Sequence, residues 1–184
     1  MPQRKTYQGD FLIMQEIKID NNYDITSLRA GDYVRFSGVV YTARDEAHKR
    51  LTINLAKGDS LPINLRSSAI YYAGPTPTRK GEIIGSCGPT TSARMDDYTP
   101  ALLDNGLKIT IGKGKRSPAV IESMIKNKAI YLIAVGGTAS LIKKHIVSCE
   151  DVAYLDLGCE AIRKLAIKDL PMLVGIDTKG NSIL

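Results

Sequence analysis

A chain of 184 residues, 43% apolar and 24% charged, has the composition of an ordinary soluble globular protein and the length for one domain with a proper core. No apolar run approaches the ~20 residues a bilayer-crossing helix needs. The opening MPQRKTYQGDFLIMQEI lacks both an uninterrupted apolar stretch and a small-residue cleavage site, so a cytoplasmic protein without a secretory signal is expected. The net charge is +6, and residues 111–145 hold seven Lys or Arg against Glu122 alone. That bias suits an anionic ligand, or a solvated basic face.

The first predicted element is a strand over residues 11–19, FLIMQEIKI, followed by a β-rich run over 33–42 that Gly38 interrupts. Thr42, followed three residues later by Asp45, resembles a capping box and predicts a helix through RDEAHKRLTINLA, with Arg44 and His48 on one face. The short runs AIYYA and EIIG read as strands framing a Pro- and Gly-rich loop. A helix is expected from Pro89 or Thr90, carrying Arg94 and Met95, with an adjustment near Pro100.

From residue 107 the pattern becomes α/β. LKITI is a strand ended by Gly112-Lys113-Gly114, and Ser117-Pro118 predicts a helix start, an N-cap followed by proline. AIYLIAV is a continuous apolar run of the buried-strand type, and TASLIKKHI reads as helical. GCEAIRKLAI suggests a further short helix, LPMLVGI a last buried strand, and DTKGNSIL a turn with a short return. The expectation is a single α/β domain over 1–184, with a β-rich first half and alternating β and α in the second.

Several chemistries are disfavoured. Cys87, Cys149 and Cys159 form no CxxC pair, which argues against a disulfide framework or a self-contained zinc or iron–sulfur site. Neither GxxxxGK[ST] nor GxGxxG occurs, so nucleotide hydrolysis is set aside. His48 and His145 are the only histidines, and no GxSxG elbow accompanies them. Nucleic-acid binding usually interleaves aromatics with basic residues, yet residues 111–145 contain one aromatic, Tyr131, inside an apolar run.

Three strand-to-helix loops, SCGPTTSAR, GKGKRSP and VGGTAS, combine glycine with hydroxyl or basic groups, as anion sites at strand ends do. In the first, a Gly-Pro turn delivers Thr90, Thr91 and Ser92 to a helix start. One turn apart on that helix, Thr90 and Arg94 would face one ligand, with the guanidinium able to grip a carboxylate through two parallel bonds. The plainer alternative is that the hydroxyls cap the helix and Arg94 pairs with Asp96 or Asp97.

The string GPTTSARMD, with Ala43-Arg44-Asp45-Glu46-Ala47-His48 upstream and Gly112-Lys113-Gly114 downstream, is similar to the β-region of class I fumarases and L-tartrate dehydratases. IYYAGPTP at 70–77, VGGTASL at 135–141 and LPMLVGIDTKGN at 170–181 extend the likeness over nearly the whole chain. The resemblance implies a swivelling β/β/α domain and a hydro-lyase that converts fumarate to (S)-malate, with tartrate dehydration or a non-catalytic anion- or RNA-binding module as alternatives. It implies a [4Fe–4S] cluster held by a separate α-type partner subunit, with no metal ligand on this chain. It also implies Thr90 as the catalytic acid/base and Arg44, Arg94 and Lys113 as substrate-carboxylate ligands.

Overall fold

The computed structural model describes residues 17–134 and 139–184. Within them lie strands β1 (Ile17–Ile19), β2 (Tyr33–Thr42), β3 (Ala69–Tyr71), β4 (Ile109–Gly112), β5 (Ile130–Ala134), β6 (Ile146–Ala153) and β7 (Ile162–Ile176). The helices are α1 (Asp45–Lys57), α2 (Thr99–Asp104), α3 (Pro118–Asn127) and α4 (Ala139–Lys143). Strands β1 to β5 run parallel in sequence order, and β7 lies antiparallel to β5. β7 also pairs with β2, which closes β2-β3-β4-β5-β7 into a five-stranded barrel, while β6 adds to its outer side through β7.

Side-chain alternation along these strands separates two cores. Ala69 and Tyr71 of β3, Ile109 and Ile111 of β4, and Ile130 and Leu132 of β5 join Phe36, Val40, Leu165 and Met172 in one cluster. The intervening Ile70, Tyr72 and Tyr131 join Ala47 and Leu51 of α1, Leu102 and Leu103 of α2, and Val120 and Met124 of α3 in the other. A strand covered on both faces must be apolar at every position, which is why AIYLIAV shows no alternation.

Four local expectations change. Thr42 does not cap α1; its hydroxyl donates to Ala161 O (3.1 Å) and accepts from Arg163 N (3.0 Å), stitching the end of β2 to β7. Glu82-Ile83-Ile84-Gly85 is not a strand: Ile84 is buried in the barrel core, Ile83 is exposed, and a side chain at Gly85 would collide with the Thr76 backbone. Pro100 disturbs no helix but sits in the first turn of α2.

IRKLAI, read as helical, opens β7. Its Arg163 and Lys164 stand opposite Asp151 and Glu150 of β6, at 2.9 and 3.9 Å, so cross-strand charge pairing suits an extended chain. The helical reading of GCEAI is met only by a six-residue 3-10 segment, Leu155–Glu160. Of the strand expected over 11–19, Ile17–Ile19 is present, and 11–16 lie outside the described residues, as do residues 135–138 of the VGGTAS loop.

Candidate active site

The carboxyl ends of β2, β3 and β4 lie side by side, and each delivers part of the candidate site. At the end of β2, Ala43 N donates to Tyr71 O (3.1 Å), and Arg44 follows as the N-cap position of α1. At the end of β3, Tyr72 N donates to Ile111 O (2.9 Å), and its own carbonyl accepts from Thr90 N (2.7 Å). The chain between them leaves the barrel as a loop and returns. Ala73 pairs with Pro89, Thr76 N donates to Ser86 O (3.0 Å), and Tyr71 OH donates to Cys87 O (2.7 Å). A long excursion thus brings Thr90 back within one residue of where it began.

The returning strand continues onto β4. Thr91 pairs with Lys113 in a parallel bridge, Ser92 N donates to Lys113 O (2.9 Å), and Lys113 N donates to Ser92 Oγ (3.1 Å). Residues 89–92 therefore place their backbone bonds on β3 and β4. A single 3-10 turn, Ser92–Met95, follows, and the regular helix begins only at Thr99. Thr90 and Arg94 are not one helical turn apart on a shared face, which corrects that reading. They share a strap: Thr90 extended, Arg94 on the exposed turn, Lys113 beside them on the β4 end.

The cations differ in their surroundings. Arg94 and Lys113 are exposed, and among the described residues neither has a carboxylate within ion-pair distance. The alternative in which Arg94 pairs with Asp96 fails, because Asp96 is taken by Arg116. Arg44 is half-buried. Its Nη2 lies 3.2 Å from Glu160, and its guanidinium lies over Gly74, where an added Cβ would stand 3.0 Å from Nη1. Sequence reasoning missed Glu160, since it comes from the segment before β7 and only the barrel closure brings it to α1.

A second layer lies beneath the strap. The Arg116 side chain is fully buried: Nε donates to Asp96 Oδ1 (2.8 Å), Nη1 to Tyr72 OH (3.1 Å) and Nη2 to Thr99 Oγ1 (2.8 Å). Its guanidinium also sits 5.1 Å and 5.3 Å from the ring centres of Tyr72 and Tyr131. Burial works against its charge, but Tyr72 and Asp96 outweigh that and raise its pKa further. The second Asp96 oxygen accepts from Ser117 N (2.6 Å), and Ser117 Oγ accepts from Val120 N (3.4 Å) as the cap of α3. His48 packs edge-on against Tyr72, 5.3 Å between ring centres, and its Nδ1 meets Arg44 O at 2.9 Å. Burial pulls its pKa down to about 4, so the ring is neutral and Nδ1–H is the donor.

As for metal ligands, no group of three or more His, Cys, Asp or Glu side chains among the described residues is arranged to hold an ion. Burial pushes the Cys87 thiol up to about 12, which keeps it protonated and a poor thiolate ligand. These residues do not fit a cluster site.

Comparison with known proteins agrees with the motifs. The family model described as Fumarase C-terminus matches residues 1–184. The chain belongs to this family. Fumarate hydratase 2 of Leishmania major is 35% identical over 178 residues, covering 91% of this chain and 31% of that protein. The aerobic class I fumarate hydratase of Escherichia coli K12 is 40% identical over 147 residues, covering 79% of this chain and 27% of its own length. This member of the fumarase C-terminal family therefore spans about a third of the fumarate hydratases it matches. The L(+)-tartrate dehydratase subunit beta of Escherichia coli K12 is 34% identical over 166 residues, covering 88% of this chain and 81% of that subunit. The chain is thus related to hydratases and to a dehydratase subunit. No helix among the described residues is long and apolar enough to cross a membrane.

Proposed function

We propose that the whole chain acts as one fumarase β-type domain, the β subunit of a two-subunit hydro-lyase that adds water reversibly to fumarate, giving (S)-malate. The observation that carries this reading is the strap at the ends of β3 and β4, which carries Thr90 and Arg94 and pairs Thr91 with Lys113; among the described residues neither exposed cation, Arg94 or Lys113, has a carboxylate within ion-pair distance. A C4 dicarboxylate brings two negative charges and develops more on one carboxylate as the proton on the adjacent carbon moves. Cations fixed before reaction stabilise that charge most cheaply.

In this reading Arg94 grips one carboxylate with its fork and Lys113 neutralises the charge that develops. Arg44, whose Nη2 meets Glu160 at 3.2 Å and whose Nε faces Asp45 at 3.8 Å, would offer Nη1 to the other carboxylate. Thr90 moves the proton on the carbon beside the hydroxyl-bearing one. A hydroxyl is a weak base, and among the described residues no carboxylate or histidine is bonded to that of Thr90, so its activation falls to the cationic field and to an acidic group of the partner. A [4Fe–4S] cluster on that α-type partner would supply Lewis-acid chemistry. The barrel would present the strap to it as a swivelling β/β/α domain, in the cytoplasm.

A second reading within the same chemistry is L-tartrate dehydration. It is supported by similarity to the L(+)-tartrate dehydratase subunit beta of Escherichia coli, 34% identical over 166 residues. Anaerobic mixing with a cluster-bearing α-type chain, assayed in parallel on fumarate and L-tartrate, separates the two. Hydration of fumarate in the mixture alone supports the first reading. Turnover of tartrate alone transfers the assignment to the second. A mixture inert on both, with the cluster intact, refutes the hydro-lyase reading.

A further inference from the structure

We propose that Ser92 and Tyr131 are positioning residues that fix the Lys113–Gly114 turn and so aim Lys113 at the substrate, an inference that rests on the role given to Lys113 above. The hydroxyls of both residues are enclosed: Ser92 and Tyr131 are fully buried. Lys113 N donates to Ser92 Oγ (3.1 Å), Ser92 Oγ meets Tyr131 OH at 2.8 Å, and Tyr131 OH donates to Gly114 O (3.0 Å). Tyr131 has one hydroxyl proton and gives it to Gly114. The proton between the two hydroxyls therefore belongs to Ser92, which donates to Tyr131 while accepting from Lys113.

The result is a hydrogen-bonded ring with a single direction. It leaves the turn at the Lys113 amide and re-enters it at the Gly114 carbonyl. Ser92 N closes a second bond onto Lys113 O (2.9 Å), so both backbone groups of Lys113 are held by one serine. The serine is itself pressed into place. A side chain at Gly112 would collide with Ser92 Oγ, so glycine at that strand end makes room for the hydroxyl. Gly114 has φ 82, a conformation that favours glycine and lets the chain turn away directly after Lys113.

The ring explains what Tyr131 does in an otherwise aliphatic strand. It offers no stacking platform for a base. Its ring lies in the core beneath Arg116, and its hydroxyl reaches the turn that carries a candidate ligand. A lysine on a flexible four-carbon stem makes a defined contact only when its backbone is fixed, and misplacement of about 1 Å can cost ~100-fold in rate.

The test is a double-mutant cycle in the two-subunit enzyme. Tyr131→Phe keeps the ring under Arg116 and deletes the hydroxyl. It is expected to lower kcat/KM about 10-fold in the otherwise native enzyme and less than about twofold in a Lys113→Ala background, because its effect passes through Lys113. An equal loss in both backgrounds overturns the inference and leaves Tyr131 a purely structural residue. Amide exchange on the full chain alone gives an arm independent of turnover. Tyr131→Phe should speed exchange at the Lys113 amide at least about 10-fold while the β5 amides stay protected. Unchanged exchange there also overturns it. If Lys113→Ala by itself left kcat/KM intact, the role of Lys113 in the proposed function would fail, and the exchange result would still decide whether the ring holds the turn.

Discussion

Lys113 and Arg116 lie three residues apart in one turn, yet their surroundings are opposite. Lys113 is exposed and has no carboxylate partner among the described residues, as is true of Arg94 on the neighbouring strap. Arg116 is buried, bonded through all three guanidinium nitrogens and sandwiched near two tyrosine rings. With each of its three nitrogens bonded inside the protein and no exposed side-chain surface, it has nothing to offer a ligand. The contrast gives the lower layer a holding role and is what supports the proposal that the upper layer binds. Arg44 stands between the two, half-buried and within ion-pair distance of both Glu160 (3.2 Å) and Asp45 (3.8 Å).

The largest effect that could break this comparison is on stability. Arg116→Ala leaves the largely enclosed Asp96 carboxylate with the Ser117 N–H but no cation and should cost about 3–5 kcal/mol in urea denaturation, as expected when one partner of an enclosed ion pair is removed. A loss under about 1 kcal/mol, the range of surface pairs, would mean that Arg116 is not the clamp described.

A pH effect should come from His48, packed in the same layer against Tyr72. Its pKa is about 4 in the folded chain against 6.5 unfolded, so on acidification the unfolded chain takes up the proton first. Its contribution is fully present above about 6.5 and is lost as pH falls from there through 4, by as much as about 3 kcal/mol. Chemical denaturation at stepped pH should show this slope, and His48→Gln should flatten it. Retention of the full slope in that variant would assign it to other groups.

A smaller effect probes how the barrel seam supports both layers. Thr42→Val leaves Ala161 O and Arg163 N without their shared hydroxyl at a buried position. It should cost about 1–3 kcal/mol, read from the denaturation midpoint. A neutral result would show that the β2–β7 closure does not depend on it.

Much of the fold was legible where the signal is local. The run at 33–42, the Ser117-Pro118 cap and, within AIYLIAV, the strand Ile130–Ala134 stand where periodicity and capping chemistry put them. What was not legible depends on partners distant in the chain. Thr42 as a capping residue and IRKLAI as a helix are sound local readings, overridden by β7, which pairs with β2 and β6 at once. The same holds at the site. Thr90, Arg94 and Lys113 stood out as candidates in their motifs, and the structure sets their segments side by side, whereas Glu160 and the Arg116–Asp96 clamp became visible only when closure brought separate segments together. The helical spacing expected of Thr90 and Arg94 was wrong because residues 89–92 bond to strands.

The central claim is that the upper layer binds a dicarboxylate. It is tested most directly by Arg94→Ala in the reconstituted two-subunit enzyme, read as kcat/KM beside the denaturation midpoint of the same variant. Losing a charge-assisted carboxylate contact should lower kcat/KM about 100-fold, roughly 3 kcal/mol. The midpoint should stay in place, because Arg94 is exposed and carries no described ion pair. Full kcat/KM in the folded variant would contradict the account.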